Sequence, residues 1–437
     1  MSSQAENPKH RSALLFLFVC FLTCVPRLAW SLADVSGDGA GAYATGDYRN
    51  LFAESGRSKK EVAAKIDAAF QQLFHGNPET QAVYFAAGRN AQGPLAYLTD
   101  WNNHDVRTEG MSYGMMISVQ LDKKAEFDAL WNWAKSYMYI GDPKHPSYGY
   151  FSWSCKTDGS PNEETAAPDG EEYFVMSLYF AAHRWGNGAG IYNYQSQADE
   201  LLHTMRHRVK MSGPTKFGLR TVANEVDEDA KMIRFVPGVE RGTFTDPSYH
   251  LPAFYELWAR WGPQEDRAFW AEAAAASRAF FVKTTNPQTG LAPAYANFDG
   301  TPHATEFPQA TIFGYDSWRT ASNWSVDWSW WRKAPQEQHL SDRIQGFFRG
   351  QGLASYADLY SLDGKLWDGN AVKTGHSTGL VATNAVASLA ATDPKSKEFV
   401  EALWNSPIPA GQLRYYDGML YLMSLLHCSG EFRIWKP

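Results

Sequence analysis

The sequence predicts an all-α fold built from six helical hairpins. Three observations predict it. About twelve segments carry apolar residues at helical spacing, and they fall into pairs. The second helix of each pair opens on a polar or aromatic motif, around Glu109, Asp169, Tyr249, Asp316, His376 and Tyr416. The first four motifs recur at gaps of 60, 80 and 67 residues, as stacked hairpins do when they close into a ring or run on as a solenoid. In a ring the second helices form an inner layer, all their N-termini point to one end, and six polar helix starts converge on one cleft.

The chain begins with a segment that belongs to targeting. Lys9, His10 and Arg11 precede an apolar run from Ala13 to Val25, then come Pro26, Arg27 and the small-residue pattern Ser31-Leu32-Ala33. This reads as a secretory signal peptide over residues 1–33, cut after Ala33, and the run is too short to cross a membrane. Residues 34–437 contain no Ser/Gly-rich or Pro-rich linker and are expected to form one domain, released outside the cell or into the periplasm. Of 40 basic and 47 acidic residues, the leader removes Lys9, Arg11, Arg27 and Glu6, which leaves 37 against 46 and a net charge of −9. That balance argues against a nucleic-acid partner, which needs a positive surface, and suits a soluble secreted protein that binds a neutral ligand; a monomer is expected. No metal or cofactor motif stands out. Cys155 and Cys428 remain in the mature chain, as a disulfide or as two buried thiols.

Taken in order, Ser58 to Phe74 has helical spacing. Residues 75–108 read as a loop with Tyr84, Tyr97 and Trp101. Met111, Met115, Ile117 and Val119 give the next helix a buried face, and Thr108 is placed to cap it with Glu109 beside the free N–H groups. Ala125–Tyr139 is helical, and a long loop with Tyr148, Tyr150, Phe151 and Trp153 leads to Pro168-Asp169, a helix start. Ser196–Val209 is helical, and Met232–Val236 favours a small hairpin. The Asp246-Pro-Ser-Tyr249 motif opens an apolar helix, and Glu265–Thr284 is Ala-rich and helical. Ala310–Arg319 leads into a helix through Trp331. Gln336–Gln351 is helical, Gly375-His376 opens another helix, Ser396–Asn405 follows, and Leu413–Tyr416 opens the last.

Three carboxylates at these starts carry chemistry: Glu109, Asp169 and Asp316. Each precedes a small residue (Gly110, Gly170, Ser317), which leaves room for a ligand. Aromatics make up 15% of the chain, with 17 Trp. An excess of rings in loops beside carboxylates suits a carbohydrate, whose pyranose faces pack on rings while its hydroxyls need polar partners. Glycoside hydrolysis needs one protonated carboxyl for the leaving oxygen and a second, ionised one to activate water or attack carbon. Arg319, three residues after Asp316, can keep that carboxylate ionised. Any one of these groups alone reads better as a cap or ion pair; at convergent helix starts they read as an active site.

The stretch Asp105-Val-Arg-Thr-Glu-Gly-Met-Ser-Tyr-Gly-Met-Met116 resembles the proton-donor signature of glycoside hydrolase family 8. Four further motifs resemble that family in the same order, at Pro168-Asp-Gly-Glu-Glu-Tyr173, Asp246–Tyr255, Tyr315-Asp-Ser-Trp-Arg319 and Arg414–Tyr421. The resemblance implies an (α/α)6 barrel and an inverting mechanism. It implies Glu109 as general acid, Asp316 as general base and Asp169 as the residue that positions and distorts the sugar before the cut. Tyr249, Arg319 and Trp153 would line that subsite, and His376 and Tyr416 complete the candidate substrate-binding set. Within the family the wording is most similar to the xylan-active branch, which implies xylan or xylo-oligosaccharides as substrate. That branch contains endo-xylanases and exo-enzymes that release xylose from the reducing end. The exo-enzymes close one end of the cleft with a Leu-His-Pro kink. Here the matching segment is Gly375-His376-Ser377, with the His but neither the Leu nor the Pro, so the endo reading is placed first and the exo reading second.

Other classes fit less well. A carbohydrate-binding protein without catalysis has no need of both Glu109 and Asp316. A polysaccharide lyase would want a positive cleft. His203 and His207 have the i,i+4 spacing of a zinc pair, but no third ligand is evident, so they read as a surface pair. Asp34-Val-Ser-Gly-Asp-Gly39 is too short for a calcium loop, and the sequon Asn323-Trp-Ser325 falls inside a predicted helix and reads as unglycosylated.

Overall fold

The structure, a computed structural model, describes residues 40–369 and 375–437. The proposed leader and the Asp34–Gly39 stretch lie outside the described residues. Among the described residues twelve long helices follow in order: α1 (Lys59–His75), α2 (Thr108–Gln120), α3 (Lys124–Trp133), α4 (Pro168–Trp185), α5 (Tyr194–His207), α6 (Pro252–Trp261), α7 (Arg267–Thr284), α8 (Thr320–Trp331), α9 (Gln336–Gln351), α10 (Thr378–Val386), α11 (Lys397–Asn405) and α12 (Arg414–Ser429). The local chemistry of several starts is legible. Ser58 caps α1 in a capping box with Glu61, Pro168 takes the first position of α4, and Ser377 caps α10 by accepting from the Leu380 N–H. The α3 helix runs on as a π-helical turn, Ala134–Met138.

The even-numbered helices touch one another: α2 packs on α4, α6 on α8, α8 on α10, α10 on α12, and α12 on α2. Odd-numbered helices flank them, as α5 does α4 and α7 does α6. This layering corrects the single apolar face expected for α2. Every residue of α2 except Glu109 is buried, because neighbours surround the helix on all sides. It also accounts for the ring content. Nine of the 17 Trp, among them Trp131, Trp258 and Trp324, are core residues, so most of the aromatic excess fills the interior and less of it than expected walls a cleft.

Two further expectations fail locally. Residues 75–108 are not a plain loop: β1 (Tyr84–Asn90) and β2 (Gly93–Leu98) form an antiparallel hairpin, irregular between Ala86 and Arg89. That irregularity breaks the two-residue alternation by which a strand is recognised. Beyond it, β3 (Asp105–Arg107) pairs with β4 (Ser154–Lys156), and this pairing carries the chain into α2. Two more hairpins, β5 (Met211–Thr215) with β6 (Gly218–Val222) and β7 (Val226–Asp227) with β8 (Met232–Ile233), occupy the stretch where one small hairpin was expected. Cys155 and Cys428 are separate buried thiols, and burial pushes Cys155 up to about 12. Asn323 is buried with its amide donating to the Ser248 carbonyl at 2.7 Å, as expected of a sequon that carries no glycan.

Candidate active site

Glu109 is the second residue of α2, and Asp169 is the second residue of α4. Thr108 does not cap α2. It is the first helical residue, the preceding Arg107 is extended, and no side chain caps that end. Instead the Thr108 N–H donates to the Trp153 carbonyl at 2.9 Å, so the β3–β4 pairing sets the angle at which Glu109 enters. Asp316 sits in a 3-10 turn, Tyr315–Arg319, that runs into α8. Tyr315 takes a left-handed φ of 51° just before it, a conformation uncommon for a non-glycine residue. The Ser317 hydroxyl accepts from the Gly314 N–H at 2.7 Å and closes the turn.

One guanidinium gathers these groups. Arg319 Nη1 donates to Glu109 Oε2 at 3.0 Å, to Asp169 Oδ2 at 2.9 Å and to the Tyr113 hydroxyl at 2.6 Å. Its Nη2 donates to Ser248 Oγ at 2.8 Å and lies 3.3 Å from Asp316 Oδ1. Arg319 is therefore shared by all three candidate carboxylates rather than serving Asp316 alone. Tyr415, from α12, donates to Glu109 Oε1 at 3.0 Å, and the Tyr416 hydroxyl lies 3.3 Å from the Tyr315 carbonyl and 3.5 Å from Asp316 Oδ1. The structure thus brings the starts of α2, α4, α8 and α12 and the turn before α6 to one point.

The carboxylates differ in their surroundings. Glu109 has 15% of its side chain exposed and Asp316 has 39%. Burial raises the Glu109 carboxyl to about 7; Arg319 pulls against this, while Asp169 and Asp316 add to it. Asp169 is also raised by burial, against the pull of Arg319. Glu109 thus carries its proton near neutral pH, and Asp316 faces water. A cleft of about 850 Å³ opens over them, lined among others by Trp153, Tyr249, Glu109, Asp169 and Asp316. Arg107 lies over the Trp153 ring at 5.7 Å, and Tyr249 is buried with the Arg319 guanidinium 5.9 Å from its ring.

His376 stands apart from this set. Its Nδ1 is 2.8 Å from the Tyr356 carbonyl and its ring packs on the Tyr356 ring, while residues 370–374 beside it lie outside the described residues. Tyr113, Ser248 and Tyr415 were missed from sequence. Tyr113 is one turn after Glu109, a spacing that looks like core. Tyr415 is next to a residue that was found.

The small residues after the carboxylates also serve differently than expected. A Cβ on Gly110 would lie 2.4 Å from the Tyr415 ring, and one on Gly170 would lie 2.4 Å from Thr108 Cβ. They let protein groups approach, not a ligand. Gly110→Ala is therefore expected to push Tyr415 off Glu109, to cost about 1–3 kcal/mol in stability and to lower kcat; melting and steady-state rates check both.

A carboxyl raised to about 7, a second carboxyl open to water and an arginine linking them have the parts that acid–base hydrolysis requires, set in a cleft lined by Trp153 and Tyr249. Residues 98–430 match the family described as glycosyl hydrolases family 8. The chain is 45% identical over 399 residues to the reducing end xylose-releasing exo-oligoxylanase of Halalkalibacterium halodurans, covering 91% of this chain and 97% of the relative. It is 42% identical to the reducing-end xylose-releasing exo-oligoxylanase Rex8A of Paenibacillus barcinonensis, covering 91% of this chain and 99% of that protein. The crystal structure of a catalytic-mutant xylanase of family 8 from Teredinibacter turnerae, in complex with xylohexaose, superposes with a TM-score of 0.88 at 55% identity, covering 91% of this chain and all of that one. The chain belongs to glycosyl hydrolases family 8.

Proposed function

We propose that this protein hydrolyses β-1,4-xylosidic bonds of xylo-oligosaccharides with inversion, as a secreted monomer whose six helical hairpins close into an (α/α)6 barrel. The pairwise contacts of the even-numbered helices support the ring. The observation that carries the mechanism is the Glu109 carboxyl raised to about 7 beside an Asp316 that faces solvent. Glu109 gives its proton to the leaving glycosidic oxygen. Asp316 takes a proton from a water that attacks the anomeric carbon from the opposite face. As Glu109 becomes an anion, Arg319 lies 3.0 Å from it and stabilises the charge that develops. Asp169 accepts from sugar hydroxyls before the cut, while Trp153 and Tyr249 offer ring surface.

The curated relatives favour release of xylose from the reducing end over cutting within the chain, the order opposite to the one drawn from Gly375 and Ser377. Exo action at the reducing end is accordingly the main reading. A second reading, endo cleavage, has two specific supports: the 55% identity to the Teredinibacter turnerae xylanase, and the absence here of the Leu and Pro that flank the His in the kink.

Two measurements test these readings. Proton NMR of fresh hydrolysate should show the α-anomer first, because inversion at a β-linked carbon gives it; a β-anomer as first product removes Asp316 from the role of base. Xylohexaose digestion followed in time should give xylose and xylopentaose together at the outset. Early xylotriose and xylobiose without xylose would establish the endo reading instead.

A further inference from the structure

We propose that His203, His207 and Asp266 form a divalent-cation site suited to zinc, built between the end of α5 and the start of α7. None of the three lines the cleft. His203 and His207 lie one turn apart on α5, with ring centroids 4.4 Å apart. The third ligand that the sequence did not reveal is supplied from 59 residues on. Asp266 Oδ1 lies 2.5 Å from His207 Nε2. One ligand atom from each of the three lies within 4.8 Å of the others.

Asp266 is the telling residue. It stands directly before α7, where an aspartate ordinarily accepts from the first free N–H groups, yet its side chain caps none of them. The carboxylate turns toward the histidines instead. Its side chain is completely buried, and Oδ2 has no hydrogen-bond partner among the described residues, a costly arrangement for a carboxylate oxygen unless something completes it. Arg206 Nη1 donates to Oδ1 at 2.6 Å while its Nε donates to Glu228 Oε1 at 3.2 Å, fixing the carboxylate as an outer-shell donor does around a metal. Both histidines are exposed, so an ion can enter. Glu265 Oε1 is 3.9 Å from His203 Nδ1 and adds negative charge at the rim.

Two imidazole nitrogens and a carboxylate oxygen are a zinc ligand set, with water in the fourth position. Tetrahedral zinc at about 2.0–2.1 Å from each ligand holds donor atoms about 3.4 Å apart. The His207–Asp266 pair must therefore open by about 1 Å as the ion displaces the proton between them. The site would tie α5 to α7.

The test is titration of the EDTA-stripped, untagged mature chain with zinc chloride against a chromophoric chelator. One zinc per chain is expected, with a melting temperature that rises with added zinc. His203→Ala, which breaks no hydrogen bond of the structure, should melt like the metal-free wild type yet lose affinity by more than the about 10–100-fold typical of an outer-shell change. His207→Gln should do the same, while Glu265→Gln should retain binding. No stoichiometric binding by the wild type, or binding as tight as the wild type's in either histidine variant, overturns the proposal.

Discussion

Glu109→Gln is expected to leave a folded protein whose hydrolysis of xylo-oligosaccharides falls by about 10²–10⁴-fold, the usual worth of a general acid. Glutamine keeps the shape, its amide oxygen can still accept from Arg319 and its amide N–H can donate to the Tyr415 hydroxyl, so binding is expected to survive. A sugar alkoxide leaves poorly without a proton; an aryl xyloside, whose phenolate leaves easily, should be partly rescued. The pH dependence offers a second readout. Folded Glu109 holds its proton up to about 7, against 4.5 for the unexceptional side chain. The folded state therefore binds more protons between these values. The contribution of this group to stability is full below about 4.5 and is lost as pH rises through about 7. Activity that depends on the protonated form declines over the same upper range. In Glu109→Gln the stability drop across that window should shrink. A variant that cuts at close to the wild-type rate is incompatible with Glu109 as the acid.

Arg319→Met has the largest expected effect on stability. It removes the cation from a buried cluster and leaves Asp169 and Glu109 without their nearest positive charge. Breaking such a pair costs about 3–5 kcal/mol, and the remaining carboxyls should take up protons at higher pH than before. Arg319→Lys keeps the charge but lacks the planar fork that reaches five side chains; it should fold better than the methionine variant and still lose most activity. Thermal melts at pH 5 and pH 8 check both. If Arg319→Met melts like the wild type, the cluster does not depend on its arginine.

How much of this was legible depends on distance along the chain. Local signals read well: α9 spans Gln336–Gln351 as the periodicity predicts, and Pro168 marks the start of α4. The carboxylates were visible because each stands where a polar or aromatic segment runs into an apolar helix, and the family was visible in five ordered motifs. What could not be read was which partners these groups would meet. Arg319 looked like the neighbour of Asp316, three residues away, while its bond to Glu109 spans 210 positions. Asp266 fell inside the helix predicted over Glu265–Thr284, and nothing local says that its carboxylate turns toward α5. The β1–β2 hairpin was lost for another reason: Ala86, Ala87 and Gly88 carry no pattern of inside and outside.

The bond from Tyr415 to Glu109 joins positions 306 apart, and it sets the order in which this enzyme can become active. Contacts of such span close late, since the loop between them must be ordered first. During synthesis, Glu109, the proposed proton donor, emerges long before the helix that carries Tyr415. A ribosome-bound or C-terminally shortened chain lacking α12 is therefore expected to remain silent, however well its first helices have formed. Turnover then reports that the far end of the polypeptide has docked.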